Sequence, residues 1–271
     1  MNLFERILFL LQKEMECPKS YGWYHFLWIG IIIISVVCLY LVRNKYNEKQ
    51  LKIILGSYGI IVLILEVLKQ IVWSFNYDPI TQNIWWDYNW YAAPFQFCTT
   101  PIYVSLICLF LKKSNIRDSL LSYLAYFTIL GSLATIIMPD SCFTSTILVN
   151  IHTMYLHCGS FILSIYLLIT KEVKLDFNIF LKGFIIFIIF VFIANSLNII
   201  LYNLNVINGE TFNMFYISPY FVSELPIYNI IQQNIPYFFY LIFYIVSIFI
   251  GGLLVYFITK IIIKSCNKDI K

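Results

Sequence analysis

Cys98 and His157 are the pair of side chains in this 271-residue sequence best suited to begin a covalent reaction. A thiol gives its proton to a neighbouring imidazole, and the thiolate then attacks a carbonyl carbon. A carboxylate such as Glu66 can orient the imidazole, and an amide such as Gln96 or Asn195 can donate to the developing oxyanion. Acyl transfer is the reaction such a set would run, with no soluble cofactor and no metal. Other readings fit the same residues. One is a carrier that holds a small solute or relays protons through Glu66, His157 and Asn195. Another is a structural or sensory bundle whose Asn, Gln, Thr and His hydrogen-bond across helices.

These residues fall in short polar clusters within apolar runs. Pro94-Phe95-Gln96-Phe97-Cys98-Thr99-Thr100-Pro101 places an amide, a thiol and two hydroxyls together, and Asn150 through Cys158 contains His152 and His157, two of the three His. Five residues at 100° each set those imidazoles about 140° apart on a helix, so both cannot face one small site. Glu66, Lys69 and Gln70 share a helical face, with Glu66 able to pair with Lys69, while Asn195 and Asn198 stand three apart. The seven Cys show neither CxxC nor metal-ligand spacing.

The elements that must position them are membrane spans. The chain is 61% hydrophobic and 12% charged, with a mean hydropathy of +0.80, whereas soluble domains run near 25% charged. Its net charge of +4 is dispersed over short loops, which argues against nucleic acid as a partner. Seven apolar stretches approach or exceed the roughly 20 residues that cross a bilayer: about His25–Val42, Ile53–Phe75, Pro94–Leu111, Leu120–Met138, Leu148–Thr170, Phe177–Leu201 and Pro236–Ile263. The expected fold is all-α, a polytopic bundle of about seven transmembrane helices forming one domain over residues 1–271, in the cell membrane. Met1–Glu16, with Glu5, Glu14 and Glu16, is too interrupted for a signal peptide.

Lys and Arg fix the expected orientation. None falls in Ser74–Tyr91, Asp140–Thr146 or Tyr202–Asn234, whereas Arg43, Lys45, Lys49 and Lys52, then Lys112, Lys113 and Arg117, then Lys171, Lys174 and Lys182, then Lys260, Lys264, Lys268 and Lys271 fill the alternate breaks. Basic short loops stay cytoplasmic, so the N-terminus is expected outside and the C-terminus inside. Residues 1–20 are expected to form an amphipathic helix, lying on the outer surface or packed on the bundle. The long outer break, residues 202–234, is a lid or a segment dipping into the bundle. With that orientation Gln96, Cys98, Thr99, His152, His157, Asn195 and Asn198 all map to the outward half, as a polar pocket would require.

Pro94–Cys98, then Met138-Pro139-Asp140, the helix centred on His157, and the break from Asn213-Met214-Phe215 through Pro219 before Pro236-Tyr237 recur in one order. In this the chain resembles the YwaF-type family of integral membrane proteins over most of its length. A distant vertebrate branch of that family is similar to a phospholipid acyltransferase that moves polyunsaturated acyl chains onto ether lysophospholipids through a Cys and a His. The resemblance implies that Cys98 is the nucleophile and His157 its partner, with membrane phospholipids or lysophospholipids as substrates. One position departs: the family usually carries a His two residues before the Cys, where this chain has Gln96. A Gln hydrogen-bonds but does not act as a base.

Overall fold

The computed structural model describes residues 3–45, 47–78, 80–81 and 83–268. Met1 of the N-terminal segment, Lys271, and the side chains of Lys264 and Lys268 lie outside that description. The chain is an all-α polytopic membrane protein. Among the described residues six helical segments are long and apolar enough to cross a membrane: Trp23–Lys45, Glu48–Ser74, Asn115–Ile137, Ile147–Ile169, Phe177–Asn203 and Tyr237–Ile263.

The helices are α1 (Leu3–Leu11), α2 (Trp23–Val42), α3 (Glu48–Ser74), α4 (Thr100–Phe110), α5 (Asn115–Tyr126), α6 (Thr128–Ile137), α7 (Ile147–Ile169), α8 (Phe177–Asn203), α9 (Pro226–Asn234) and α10 (Tyr237–Lys268). A two-stranded antiparallel hairpin, β1 (Phe75–Tyr77) and β2 (Ile84–Trp86), follows α3. The third expected span, Pro94–Leu111, is helical only over the 11 residues of α4. At 1.5 Å per residue that is about 16 Å, half of a hydrocarbon core. Pro101 sits in the first turn of α4, where its missing N–H costs nothing, and Pro94–Thr99 upstream folds as a turn. The fourth expected span breaks at Phe127 between α5 and α6.

Capping side chains start three helices at the basic end. Asn47 accepts from the backbone of Lys49 and Gln50 while Gln50 returns a bond to Asn47 N, a reciprocal cap on α3. Ser114 caps α5 and Asp176 caps α8. Nearby, Glu48 takes Arg117 at 2.8 Å and Lys113 at 3.8 Å. The Lys/Arg-free breaks meet at the opposite end: Tyr91 donates to Glu224 at 2.7 Å, Glu210 accepts Trp90 N at 2.9 Å, and Ser20 donates to Asp140. Alternate breaks therefore gather at opposite ends of one bundle.

In a lipid solvent close packing replaces the hydrophobic drive between helices, and this chain packs with aromatic rings around α5. Tyr123, Tyr126 and Phe127 are fully buried there, and α5 touches α4, α7, α8 and α10. Helix α3 approaches α4 where Gly59 leaves room: a Cβ there would lie 2.7 Å from Ser105 Oγ. Helix α2 is peripheral, packing mainly on α7.

Of the segment 1–20, only Leu3–Leu11 forms the helix α1, with Leu8 buried and Leu3, Phe4, Ile7 and Leu10 exposed. Gln12 ties the segment to the bundle by donating to the carbonyls of Val72 at 3.0 Å and Phe75 at 2.9 Å. Within the 202–234 break, Phe212 through Ser218 re-enter the bundle; Met214, Phe215 and Ile217 are fully buried.

Candidate functional site

A carboxylate in the half of α3 nearer the Lys/Arg-free end organises the polar interior. Glu66 lies 18 residues from the basic end of α3 and 8 from the other. Its Oε1 takes Lys69 Nζ at 2.7 Å and Gln70 Nε2 at 2.7 Å, and its Oε2 lies 2.7 Å from His152 Nε2. All three partners are held because i+3 and i+4 on α3 share a face, and because α7 runs antiparallel alongside. The same register brings Tyr58, two turns below Glu66, to Ser160, two turns beyond His152. A carboxylate bound to Nε2 leaves Nδ1 as the basic nitrogen when the imidazole is neutral. Nδ1 of His152 is buried and makes no hydrogen bond among the described residues.

His157 is also buried, and its Nδ1 likewise has no hydrogen-bond partner among the described residues. It lies on another face of α7. Seven residues on, Ser164 occupies nearly the same angle and donates to Leu124 O of α5 at 2.7 Å. Both His are buried because α7 is enclosed by α2, α3, α5 and α6. The expected separation by angle holds: His152 turns to α3 and His157 toward α5 and α6.

Cys98 sits, half-buried, in the turn before α4. Thr99 N and Thr100 N both donate to Gln96 O, and Thr100 Oγ1 meets Tyr123 Oη at 2.6 Å. Gly56 opposite Leu109 and Gly59 opposite Leu106 set an antiparallel α3–α4 register, which carried outward brings Cys98 level with Glu66. The charges of Lys69 and Glu66 and the thiol of Cys142 reach Cys98 electrostatically. Tyr91 and Tyr216 approach from the Lys/Arg-free end. Burial, and the Glu224 carboxylate beside it, hold the Tyr91 phenol well above its ordinary pKa. Among the described residues no hydrogen bond joins Cys98 to His157; the imidazole level with the thiol is that of His152.

Two expected pocket residues, Gln96 and Asn198, hold the re-entrant segment directly, Asn195 does so through Tyr237, and Thr99 braces the Gln96 turn. Gln96 Nε2 donates to Asn213 O at 2.9 Å and its Oε1 accepts Phe215 N at 2.8 Å. Asn198 pairs with both backbone groups of Met214, at 2.8 and 3.0 Å. Asn195 Oδ1 accepts from Tyr237, whose hydroxyl also meets Ile217 O. Thr99 Oγ1 donates to Gln96 O at 2.9 Å. Phe215 and Tyr216 both have φ of 58°, a left-handed pair that costs of order 1–3 kcal/mol for each residue and is held by these amides. Phe215 packs on Phe95 and Phe97, which flank Gln96. Tyr58, Gln70 and Asn213 also belong to the site and were not singled out as pocket residues from sequence. Gln70 carried a signal in its i+4 spacing from Glu66, and Asn213 in the Asn213-Met214-Phe215 motif.

Among the described residues no group of three or more His, Cys, Asp or Glu is arranged to hold a metal ion. The profile of the TMEM164 family matches residues 20–259. No curated protein and no solved structure matches the chain.

Proposed function

From the premise that the chain belongs to the TMEM164 family of multi-pass membrane proteins, we propose that it is a lipid acyltransferase of the cell membrane. Cys98 is its nucleophile. The observation that carries this reading is the depth of Cys98: a half-buried thiol, in a turn rather than in a helix, level with a buried carboxylate, ammonium and imidazole.

In this reading the Cys98 proton passes to an imidazole and the thiolate attacks the ester carbonyl of a phospholipid. The tetrahedral intermediate expels the lysolipid alkoxide, which takes the proton back, leaving a thioester. A second lysolipid hydroxyl then loses its proton to the same base and attacks the thioester, and the thiolate leaves. Electrons and protons balance with no cofactor. His157 is the base the resemblance implies, with Nδ1 free to accept; its contact with the thiol forms when substrate binds, since resting sites are often loose. The Glu66–Lys69–His152 group charges the wall beside the thiol. With the basic end cytoplasmic, the site faces the outer leaflet.

The charged cluster buried within α3 and α7, beside the broken α5–α6 span, also suits a small-solute carrier. Reconstitution separates the readings. Acyl exchange between a phospholipid and a labelled lysophospholipid in proteoliposomes, lost in Cys98→Ala, supports the transferase; solute uptake without exchange supports the carrier.

A further inference from the structure

A second concavity lies at the other end of the bundle. The basic-end half of α3 buries Leu51, Leu55 and Tyr58, but its face of Lys49, Lys52, Ile53, Gly56 and Ile60 stays open beside Leu109 of α4, and a shallow groove of about 670 Å³ runs along it. Its upper rim carries Glu48, Lys49 and Lys52; its wall is Ile53, Gly56, Ile60 and Leu109, with Ser57 spending its hydroxyl on Ile54 O.

The charges at the rim are unbalanced. Glu48 is already taken by Arg117 and Lys113. Among the described residues no carboxylate pairs with Lys49 or Lys52. Below them the wall is apolar apart from Ser57, and Ile53 and Ile60 are exposed. From Lys49 to Ile60 the rise is about 16 Å at 1.5 Å per residue, half the roughly 30 Å of a hydrocarbon core. The groove thus has the length of one leaflet, cationic at headgroup level and apolar down to the midplane.

We propose that this groove binds an anionic phospholipid of the basic-side leaflet, with its phosphate on Lys49 and Lys52 and one acyl chain along Ile53, Gly56 and Ile60. The site is separate from Cys98 and does not depend on the acyl-transfer reading. A basic residue at a membrane surface contributes roughly a factor of five to anionic-lipid binding, so the two lysines together contribute about 25-fold.

The test is native mass spectrometry of the purified full chain, titrated with phosphatidylglycerol or phosphatidylcholine. Retention of phosphatidylglycerol over phosphatidylcholine is expected, with binding weakened about 25-fold in Lys49→Gln/Lys52→Gln. Lys45→Gln, on the same end but outside the groove, should leave it nearly unchanged. Ile60→Trp, which fills the lower groove and keeps both lysines, should also weaken binding, and its lipid-facing position keeps the variant folded. Equal retention of the two lipids overturns the proposal. So does a loss in Lys45→Gln as large as in the double variant, since that would reveal only diffuse surface charge.

Discussion

His152 Nε2 and Glu66 Oε2 meet at 2.7 Å across the α7–α3 interface, while Lys69 holds the other oxygen of the same carboxylate. Two potential cations therefore share one buried anion at the depth of Cys98. Removing the anion alone strands Lys69 and His152 in the interior, which costs about 3–5 kcal/mol. Glu66→Leu should destabilise the protein by that amount in chemical unfolding in micelles. Glu66→Leu/Lys69→Met, which also removes the stranded ammonium, should recover most of the loss. A double variant as unstable as the single one would show that the cluster is not an electrostatic unit.

The re-entrant segment makes a second prediction. Among the described residues Asn198 Oδ1 is the only acceptor for Met214 N, while Met214 O takes Asn198 Nδ2 and also Ile217 N at 3.3 Å; an unmatched buried group costs roughly 1–3 kcal/mol. Asn198→Leu leaves Met214 N unmatched, so the segment should loosen by about 1–3 kcal/mol. Limited proteolysis between residues 205 and 225 should accelerate well before global unfolding. Unchanged cleavage would mean that Gln96 and Asn213 hold the segment without it.

Much of this was legible in the sequence. Apolar length, the alternation of basic breaks and the i, i+3 spacing of Glu66 and Lys69 are local properties, and each appears in the structure. What escaped was tertiary. Pro94–Leu111 is apolar enough to span, but its first residues turn because Gln96 finds Asn213 and Phe215 from a segment more than a hundred residues away. The partner of Glu66 among the His was equally hidden. Angular spacing separated His152 from His157, yet only the α3–α7 register shows that His152 is the one that meets the carboxylate. Gln96, Thr99, Asn195 and Asn198 read as pocket polarity because a side chain that satisfies buried backbone has the same composition as one that binds a ligand.

Outside the spans, Glu172 lies between α7 and α8. Burial raises its carboxyl above the usual value, with the Glu48 carboxylate adding to the rise, while Lys113 and Arg117 oppose it. An acid whose folded pKa is raised favours the folded state while protonated. That advantage is present below the unfolded value near 4.5 and is lost as pH rises through the higher folded value. Glu172→Gln should therefore raise Tm slightly at pH 7 and leave it unchanged near pH 4. A gain at low pH instead would reverse the assigned sign.

The central claim is that Cys98 carries an acyl group. Intact mass of the purified protein after incubation with phospholipid tests it most directly. The mass should rise by one acyl chain, and neutral hydroxylamine, which cleaves thioesters, should remove it. In His157→Ala the adduct should form about 10²–10⁴-fold more slowly, the usual loss of a general base. In Cys98→Ala it should be absent. An adduct that persists in Cys98→Ala, or a wild-type mass unchanged while lipid exchange proceeds, would contradict the account.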